Sequence, residues 1–276
     1  MTPVRRIYLV SAVTRWRDEA RITQQQLADA MGWGRAKVQR MESGEVGIKA
    51  SDVLALGAFY QRDHEEIEAL AQIARDAKRN PPHWLPFSDV LPGRFAALEA
   101  EASGIDEFLV AAVPGQCQTA AYIRASMAHA LVEPEEIERR VQARLTRQAH
   151  VIYRDSPPAY RAVLDEAALR RPVGGPAVMR DQIAHLRQLS ERVHIQILPF
   201  SVGAHAGGTL PFTILSFEGG MGSAVHVEGP GEGTIIEQPE TVARHRLKFS
   251  RLQDAALSVE DSRNFMAEIA ADLDRE

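Results

Sequence analysis

The sequence predicts an α+β protein with an all-α N-terminal domain of five helices and a mixed α/β C-terminal domain with a mostly antiparallel sheet. Residues 1–79 carry apolar side chains at the three- and four-residue spacing of amphipathic helices. Pro81 and Pro82 then interrupt this helical pattern. From residue 92 onward, helical segments alternate with short period-two segments and glycine-rich turns. We therefore predict domains at 1–79 and 92–276, joined by a linker at 80–91.

The composition is that of a globular protein without membrane spans. The chain has 276 residues, of which 45% are hydrophobic and 25% are charged, enough for about two domains. A single cysteine, Cys117, excludes an internal disulfide and is typical of a reducing compartment. No uncharged apolar segment follows Arg5 and Arg6, and no apolar run is long enough to cross a bilayer. We expect a cytoplasmic protein with no signal peptide and no membrane partner.

Charge is distributed unevenly along the chain, whose net charge is −5. Residues 1–50 contain nine Arg or Lys and five Asp or Glu, a net charge of +4, which leaves −9 for the remainder. A basic head on an acidic body favours a small nucleic-acid-binding module attached to a domain that does not touch nucleic acid. The alternative explanation is chance unevenness.

Residues 23–44 predict two short helices joined by a tight turn. The hydroxyl of Thr23 is expected to cap the backbone N–H of Gln26, and Gly32 is expected to end the first helix in a left-handed conformation. The second helix begins at Arg35. This is the layout of a helix-turn-helix, which places its second helix in the DNA major groove. The inward residues of the pair are Ala28, Gly32, Val38 and Met41. The three other predicted helices lie at 7–19, 51–60 and 63–78.

The outer face of the second helix carries the residues that we predict to read DNA bases. Arginine is the commonest reader of guanine, and the N-terminal end of such a helix usually meets the base edges. The predicted base-reading residues are Arg35, Ala36, Lys37, Gln39 and Arg40. Thr23, Gln24 and Lys49 are predicted to contact phosphates. Glu42 is expected to pair with Arg17 instead, because a carboxylate facing phosphates would be repelled. The alternative is a solvated basic face of a helical bundle.

The helical pair resembles the helix-turn-helix of phage repressors and Cro proteins, the XRE type. Thr-Gln at 23–24 and Glu-Ser-Gly at 42–44 match that family. Gly34 stands where Ser or Thr often caps the second helix, and Trp33 is larger than the usual turn residue. The resemblance implies transcription regulation through double-stranded operator DNA. A homodimer is expected, because one helix of this size reads only half of a two-fold operator.

The C-terminal domain is predicted to contain six strands and five helices. Its strand-like segments alternate apolar and polar residues, and the last three are separated by glycine-rich turns. The predicted strands lie at 108–113, 160–164, 193–197, 212–217, 224–228 and 234–237. Predicted helices begin at 119, 134 and 176, and two more finish the chain.

Four further segments stand out in this domain: VPGQCQTAAYIRA at 113–125, RLTRQ at 144–148, LDEAALRRPVGG at 164–175 and ILPFSVGAHAG at 197–207. They resemble signature blocks of a domain of unknown function in actinobacterial repressor-type regulators of the WhiJ-like, antitoxin-like kind. Gln-Cys at 116–117 departs from the two leucines usual there. This resemblance implies transcription regulation, often with a small partner protein encoded nearby.

No catalytic or metal-binding pattern is present. The nine histidines form no pair at i, i+4 and no Cys/His cluster, and nucleophile-elbow, phosphate-loop and dinucleotide motifs are absent. We therefore expect no enzyme, no cofactor and no metal site. The domain is expected to sense an effector instead, through polar and aromatic groups at sheet ends. The predicted effector pocket comprises Arg170, Arg171, Phe200, His205 and Glu228. The alternative for each is loop or salt-bridge duty.

Two functions are consistent with the sequence. The first is a sequence-specific DNA-binding transcription regulator whose C-terminal domain senses a small protein partner or a small-molecule ligand. The second is an antitoxin-like protein whose main role is binding a small partner protein, with DNA binding for autoregulation. Stoichiometric co-purification of a small protein would favour the second, whereas thermal stabilisation by a metabolite would favour the first.

Overall fold

The computed structural model describes residues 3–76, 85–87, 90, 93–128, 133–208, 210–218, 221–229 and 233–273. The chain divides into two compact units near residue 82. The predicted linker at 80–91 lies largely outside the described residues. In the described part of the chain, no helix combines the length and the apolar character that a bilayer crossing requires.

The first unit consists of the five predicted helices. Their bounds are α1, Pro3–Glu19; α2, Gln24–Met31; α3, Arg35–Glu42; α4, Ala50–Phe59; and α5, His64–Asp76. The predicted end of the fifth helix at residue 78 lies outside the described residues. The apolar residues of all five helices form one core, in which Leu9, Trp16 and Leu56 are fully buried. The indole N–H of Trp16 donates to Glu66 Oε1 at 3.0 Å, so the one polar atom of this ring is satisfied.

The second unit contains a six-stranded mixed sheet in the order β3-β2-β1-β4-β5-β6. The strands are β1, Gly104–Leu109; β2, Ala159–Asp165; β3, His194–Leu198; β4, Phe212–Ser216; β5, Ser223–Val227; and β6, Thr234–Ile236. The β1–β2 and β2–β3 pairs are parallel, and the other three pairs are antiparallel. This confirms the prediction of a mostly antiparallel sheet. The strand predicted at 108–113 spans 104–109 in the structure. The prediction missed the start of this strand because Asp106 and Glu107 interrupt its apolar pattern.

Seven helices accompany the sheet in the described part of the second unit. They are α6, Gly93–Glu101; α7, Ala120–Ser126; α8, Pro134–Val151; α9, Ala167–Arg170; α10, Pro176–Leu189; α11, Pro239–Ala255; and α12, Val259–Asp272. The sequence analysis did not predict α6 or the short α9. The predicted continuation of α7 to residue 131 reaches residues that are not described.

The two faces of the sheet carry different clusters of side chains. On one face, Phe108, Val163 and Ile214 pack with Phe249 of α11 in a buried apolar cluster. On the other face, the strand register places Glu107 opposite Thr213 and Thr213 opposite His226. Because side chains alternate across a strand, these polar residues share one side of the sheet. The register therefore assembles a row of polar side chains from three strands.

Candidate functional site

The turn between α2 and α3 has the geometry that the sequence predicts. Thr23 Oγ1 accepts the N–H of Gln26 at 3.2 Å, and Gln26 Oε1 accepts the N–H of Thr23 at 2.7 Å. This reciprocal capping box satisfies two otherwise unpaired donors at the start of α2. Gly32 ends the helix with a φ of 64°, a left-handed conformation that strains any residue with a Cβ atom. Both the cap and the turn are confirmed.

The contact between α2 and α3 determines which side of α3 faces solvent. Ala28 of α2 and Val38 and Met41 of α3 are buried in the common core. The opposite side of α3 is exposed, and it carries Arg35, Ala36, Gln39 and Arg40. Four of the five predicted base-reading residues therefore lie on the solvent side of one short helix.

A nearly buried ion pair holds α3 against α1. Arg17 Nε lies 2.7 Å from Glu42 Oε1, and Arg17 Nη2 lies 3.0 Å from Glu42 Oε2. The side chain of Glu42 is only 6% exposed and that of Arg17 is 15% exposed. The bond to Glu42 raises the pKa of Arg17 above its usual value. The predicted pairing of these residues is confirmed, and the carboxylate is withdrawn from the exposed face.

Each predicted phosphate-contacting residue lies close to a helix start. Gln24 Nε2 donates to Glu42 Oε2 at 2.8 Å, which occupies one of the two N–H bonds of that amide. Thr23 is exposed, with its hydroxyl engaged in the α2 cap, and Lys49 is exposed immediately before α4. Phosphate contact by these three residues stays a prediction.

Lys37 differs from the other predicted base-reading residues because its charge has a partner within the domain. Its Nζ lies 2.8 Å from Asp52 Oδ1 and 3.5 Å from the centroid of the Trp33 ring. The large turn residue that departs from the family pattern therefore forms a surface on which the lysine rests. Base reading by Lys37 stays a prediction, and the ion pair with Asp52 gives a way to test it.

A second candidate site is a cavity of about 750 Å³ in the C-terminal unit. It borders the face of the sheet that carries Glu107, Thr213 and His226, and all three residues line it. Arg140, Arg144 and Arg147 of α8 also line it. Steps of four and three residues place all three arginines within about 60° of arc on the helix. One face of α8 thus directs three guanidinium groups toward the cavity.

Arg147 is paired within this wall. Its Nη2 lies 2.7 Å from Glu99 Oε2, and Gln116 Nε2 donates to the same oxygen at 2.6 Å. The guanidinium also lies 5.6 Å from the ring centroid of Phe95, which stacks on His226 at 4.3 Å. Arg147 and Glu99 are almost inaccessible to solvent. The pair therefore links α6 to α8 as part of the cavity structure.

Arg144 lacks such a carboxylate partner. Its Nη1 donates to Gln118 Oε1, and among the residues that the structure describes no carboxylate oxygen lies within 4.0 Å of its guanidinium. Burial and the positive charges of Arg147 and Arg140 lower the pKa of Arg144 to about 10. Arg140 pairs instead with Glu136, one turn away and partly exposed. Within the described part of the cavity wall, Arg144 therefore has no acid in direct contact, and Glu228 acts on its charge only from a longer distance.

Glu107 is an acidic group of the central strand β1 that lines the cavity. The Tyr160 hydroxyl donates to Glu107 Oε2, and the Thr213 hydroxyl donates to Glu107 Oε1 at 3.4 Å. Burial raises the pKa of Glu107 to about 7 despite the Tyr160 bond, which favours the ionised form. The neighbouring Cys117 thiol is also buried, and burial raises its pKa. That thiol is therefore not activated as a nucleophile.

The structure separates the predicted effector-pocket residues, which were Arg170, Arg171, Phe200, His205 and Glu228. Of the five, only Glu228 borders the cavity. Arg171 is exposed at the end of α9.

The remaining three lie around the acidic pair at the end of β2. Arg170 Nε donates to Glu166 Oε1, and the backbone N–H of Phe200 donates to Glu166 Oε2 at 2.8 Å. His205 Nε2 lies 3.9 Å from Asp165 Oδ2. These contacts are of the loop and salt-bridge type that was the alternative, and effector binding by these residues stays a prediction.

Apart from Glu228, the residues that line the cavity were not among the predicted site residues. One signal was available, because Arg140, Arg144 and Arg147 repeat at helical spacing beside the apolar stripe that includes Val141. No comparable signal marks Glu99, which comes from a different and unpredicted helix.

Two family matches divide the chain. Residues 9–70 match a family described as a helix-turn-helix domain. Residues 92–268, more than half of the chain, match a family described as a domain of unknown function, DUF5753. The chain belongs to the DUF5753 family. No curated protein and no solved structure matches it. In this DUF5753 protein, the second match contains every arginine and carboxylate that lines the cavity.

Proposed function

We propose that this DUF5753 protein is a sequence-specific transcription regulator of the XRE repressor type, with a C-terminal domain that senses a signal. The helix-turn-helix domain supports the DNA-binding part of this function. The observation that carries the proposal is the exposed face of α3. It bears two arginines on a helix held by the Gly32 turn and the Arg17–Glu42 pair.

The chemistry of that face suits direct readout in the major groove. Arg35 lies at the N-terminal end of α3, where its planar guanidinium can donate two hydrogen bonds to guanine O6 and N7. Gln39 can pair with adenine, and the methyl group of Ala36 can contact thymine. Arg40 lies at the opposite end of the same exposed face. Together they offer contacts over a few adjacent base pairs.

A homodimer completes the proposed function. One α3 helix of eight residues covers a half-site, and a two-fold partner supplies the second, about 34–36 Å away along the duplex. The proposed protein acts in the cytoplasm, where its operator is located. It acts through binding equilibria rather than as an enzyme.

The C-terminal domain is proposed to receive a small-molecule signal. The support is the cavity, whose volume lies within the range of metabolite pockets and which combines a few charged groups with apolar wall residues. A small protein partner would instead require an interaction surface. Co-purification of a stoichiometric small protein that binds outside the cavity would favour the antitoxin-like function.

The test compares Arg35→Ala with Arg75→Ala, an exposed arginine on α5 that lies outside α3. Footprinting on the protein's own upstream DNA first defines the operator. Arg35→Ala is then expected to weaken operator binding by about 1–3 kcal/mol and to relax base preference at one position. Arg75→Ala is expected to bind like the native protein. Equal losses on operator and random DNA would refute base reading by Arg35.

A further inference from the structure

We propose that the cavity of the C-terminal domain binds a metabolite-sized organic anion, whose carboxylate or phosphate group is held by Arg144 and Arg140. The binding site is inferred from the cavity alone. That the anion is the signal for DNA binding rests on the proposed function.

Among the described residues, no carboxylate forms an ion pair with Arg144. A guanidinium removed from water loses hydration energy, and a carboxylate partner normally restores it. Arg144 donates to the neutral amide oxygen of Gln118, and Arg140 and Arg147 add positive charge nearby, which the Glu228 carboxylate on the same cavity wall offsets only in part. An anion placed between Arg144 and Arg140 would provide the missing compensation and accept charge-assisted hydrogen bonds.

Hydrogen bonds fix the cavity wall behind these arginines. Arg147 is fixed by Glu99, which also accepts the Gln116 amide. Gln118 is held in turn, because its Nε2 donates to the backbone carbonyl of Val113 at 2.7 Å. The donor group of Arg144 is therefore oriented before any ligand arrives, which lowers the entropic cost of binding.

Among the described residues, three acids also line the cavity: Glu99, which pairs with Arg147, Glu228, whose charge acts on Arg144, and Glu107. Glu107 carries less than a full negative charge near neutral pH, so its repulsion of an anion is reduced. Thr213 and Tyr122 add hydroxyl groups, and Leu109 adds apolar surface for the rest of a ligand. A volume of about 750 Å³ admits a metabolite but not a nucleic-acid duplex or a folded partner.

The experiment measures thermal unfolding of the full chain with citrate, sodium pyrophosphate or 5′-AMP at about 10 mM. Sodium chloride of matched ionic strength and uncharged adenosine are the reference additives. At least one of the three anions is expected to raise the unfolding temperature by about 2–5 °C above the chloride reference. Stabilisation by citrate alone identifies a carboxylate ligand, and stabilisation by pyrophosphate or 5′-AMP identifies a phosphate ligand.

The decisive variants are Arg144→Gln and its matched control Arg139→Gln on the same helix. Arg139 does not line the cavity, and its guanidinium donates to the carbonyl of Pro86. Arg144→Gln is expected to weaken anion affinity by about tenfold or more, whereas Arg139→Gln retains it. Arg140→Gln provides a second cavity variant at a partly exposed position, and it decides the test if Arg144→Gln does not fold.

The proposal is overturned if none of the three anions stabilises the native protein beyond the chloride reference. It is also overturned if the folded cavity variants respond to anions like the native protein. Arg35→Ala keeps the two proposals separate, because it should lose operator affinity and still be stabilised by the anion. If Arg35→Ala binds operator normally, the proposed function fails while the result for the cavity stands.

Discussion

The helices α3 and α8 both present arginines from one face, but they present them to different surroundings. On α3, Arg35 and Arg40 project into solvent, and the carboxylate beneath them belongs to a matched ion pair. On α8, the arginines border a cavity where Glu99 neutralises only Arg147. Solvated arginines carry no desolvation penalty in the free protein and remain available to a polyanion, whereas a buried arginine gains stability from a specific anion. The same residue type therefore indicates two kinds of ligand.

The largest effect is expected from Glu42→Ala, which breaks the Arg17–Glu42 ion pair of the N-terminal unit. This substitution removes the buried partner of Arg17, keeps the exposed Asp18 carboxylate 2.8 Å from Arg17 Nη1, and should destabilise the domain by about 3 kcal/mol. Urea unfolding followed by tryptophan fluorescence measures it, because Trp16 and Trp33 lie in this domain.

Glu68→Ala is the matched control, since Glu68 pairs with Arg75 at a position where both side chains are 43% exposed. Its expected loss is below about 1 kcal/mol. If the two glutamate variants lose the same stability, the Arg17–Glu42 pair does not stabilise the position of α3 more than an exposed ion pair would.

An intermediate effect is expected from Glu107→Gln, which removes a buried carboxyl group from the cavity wall. Folding raises the pKa of Glu107 from 4.5 to about 7, so the folded protein binds more protons than the unfolded chain between these values. The native protein therefore loses stability as pH rises through this window, whereas the glutamine variant has no such loss. Between pH 5 and pH 8, the variant should gain about 2 kcal/mol relative to the native protein.

Unfolding free energies from calorimetry at several pH values measure this gain. Glu237→Gln serves as the control, because it removes an exposed carboxylate of the same domain. A constant difference between native protein and Glu107→Gln across the pH range would show that Glu107 titrates alike in both states.

The smallest effect is expected from the paired substitution of Lys37→Met and Asp52→Asn. The two residues neutralise each other, and an asparagine oxygen can still accept the Lys49 N–H at the start of α4. Operator affinity is expected to change by less than about 1 kcal/mol, with an unchanged salt dependence. Fluorescence anisotropy over a series of salt concentrations measures both. A changed base preference would instead establish Lys37 as a base-reading residue beside Arg35 and Arg40.

The helix-turn-helix was predictable because its signals are local. The two residues of the capping box lie three positions apart, the turn is encoded by Gly32 alone, and the buried positions repeat at helical spacing. Even the Arg17–Glu42 pair followed from the position of an acid on a helix that was predicted to face DNA. Base and phosphate contacts by the predicted residues stay predictions.

The C-terminal domain was predictable in its number of strands but not in its detailed course. Strand β1 contains Asp106 and Glu107, and these polar residues make the sequence look unlike a strand that is covered on both faces. Arg161 of β2 pairs with Asp106 at 2.7 Å, and Tyr160 donates to Glu107, so both acids find a partner on the adjacent strand. That pairing is absent from any local sequence window.

By itself, the sequence determined the helical head, its turn and its exposed arginine face, because these depend on interactions between residues a few positions apart. Only the tertiary structure decided the cavity. Arg147 meets Glu99 across 48 positions, and the sheet register brings His226 into the row that contains Glu107. Long-range pairing of charges under burial depends on which surfaces pack together, and no periodicity within one segment contains that information.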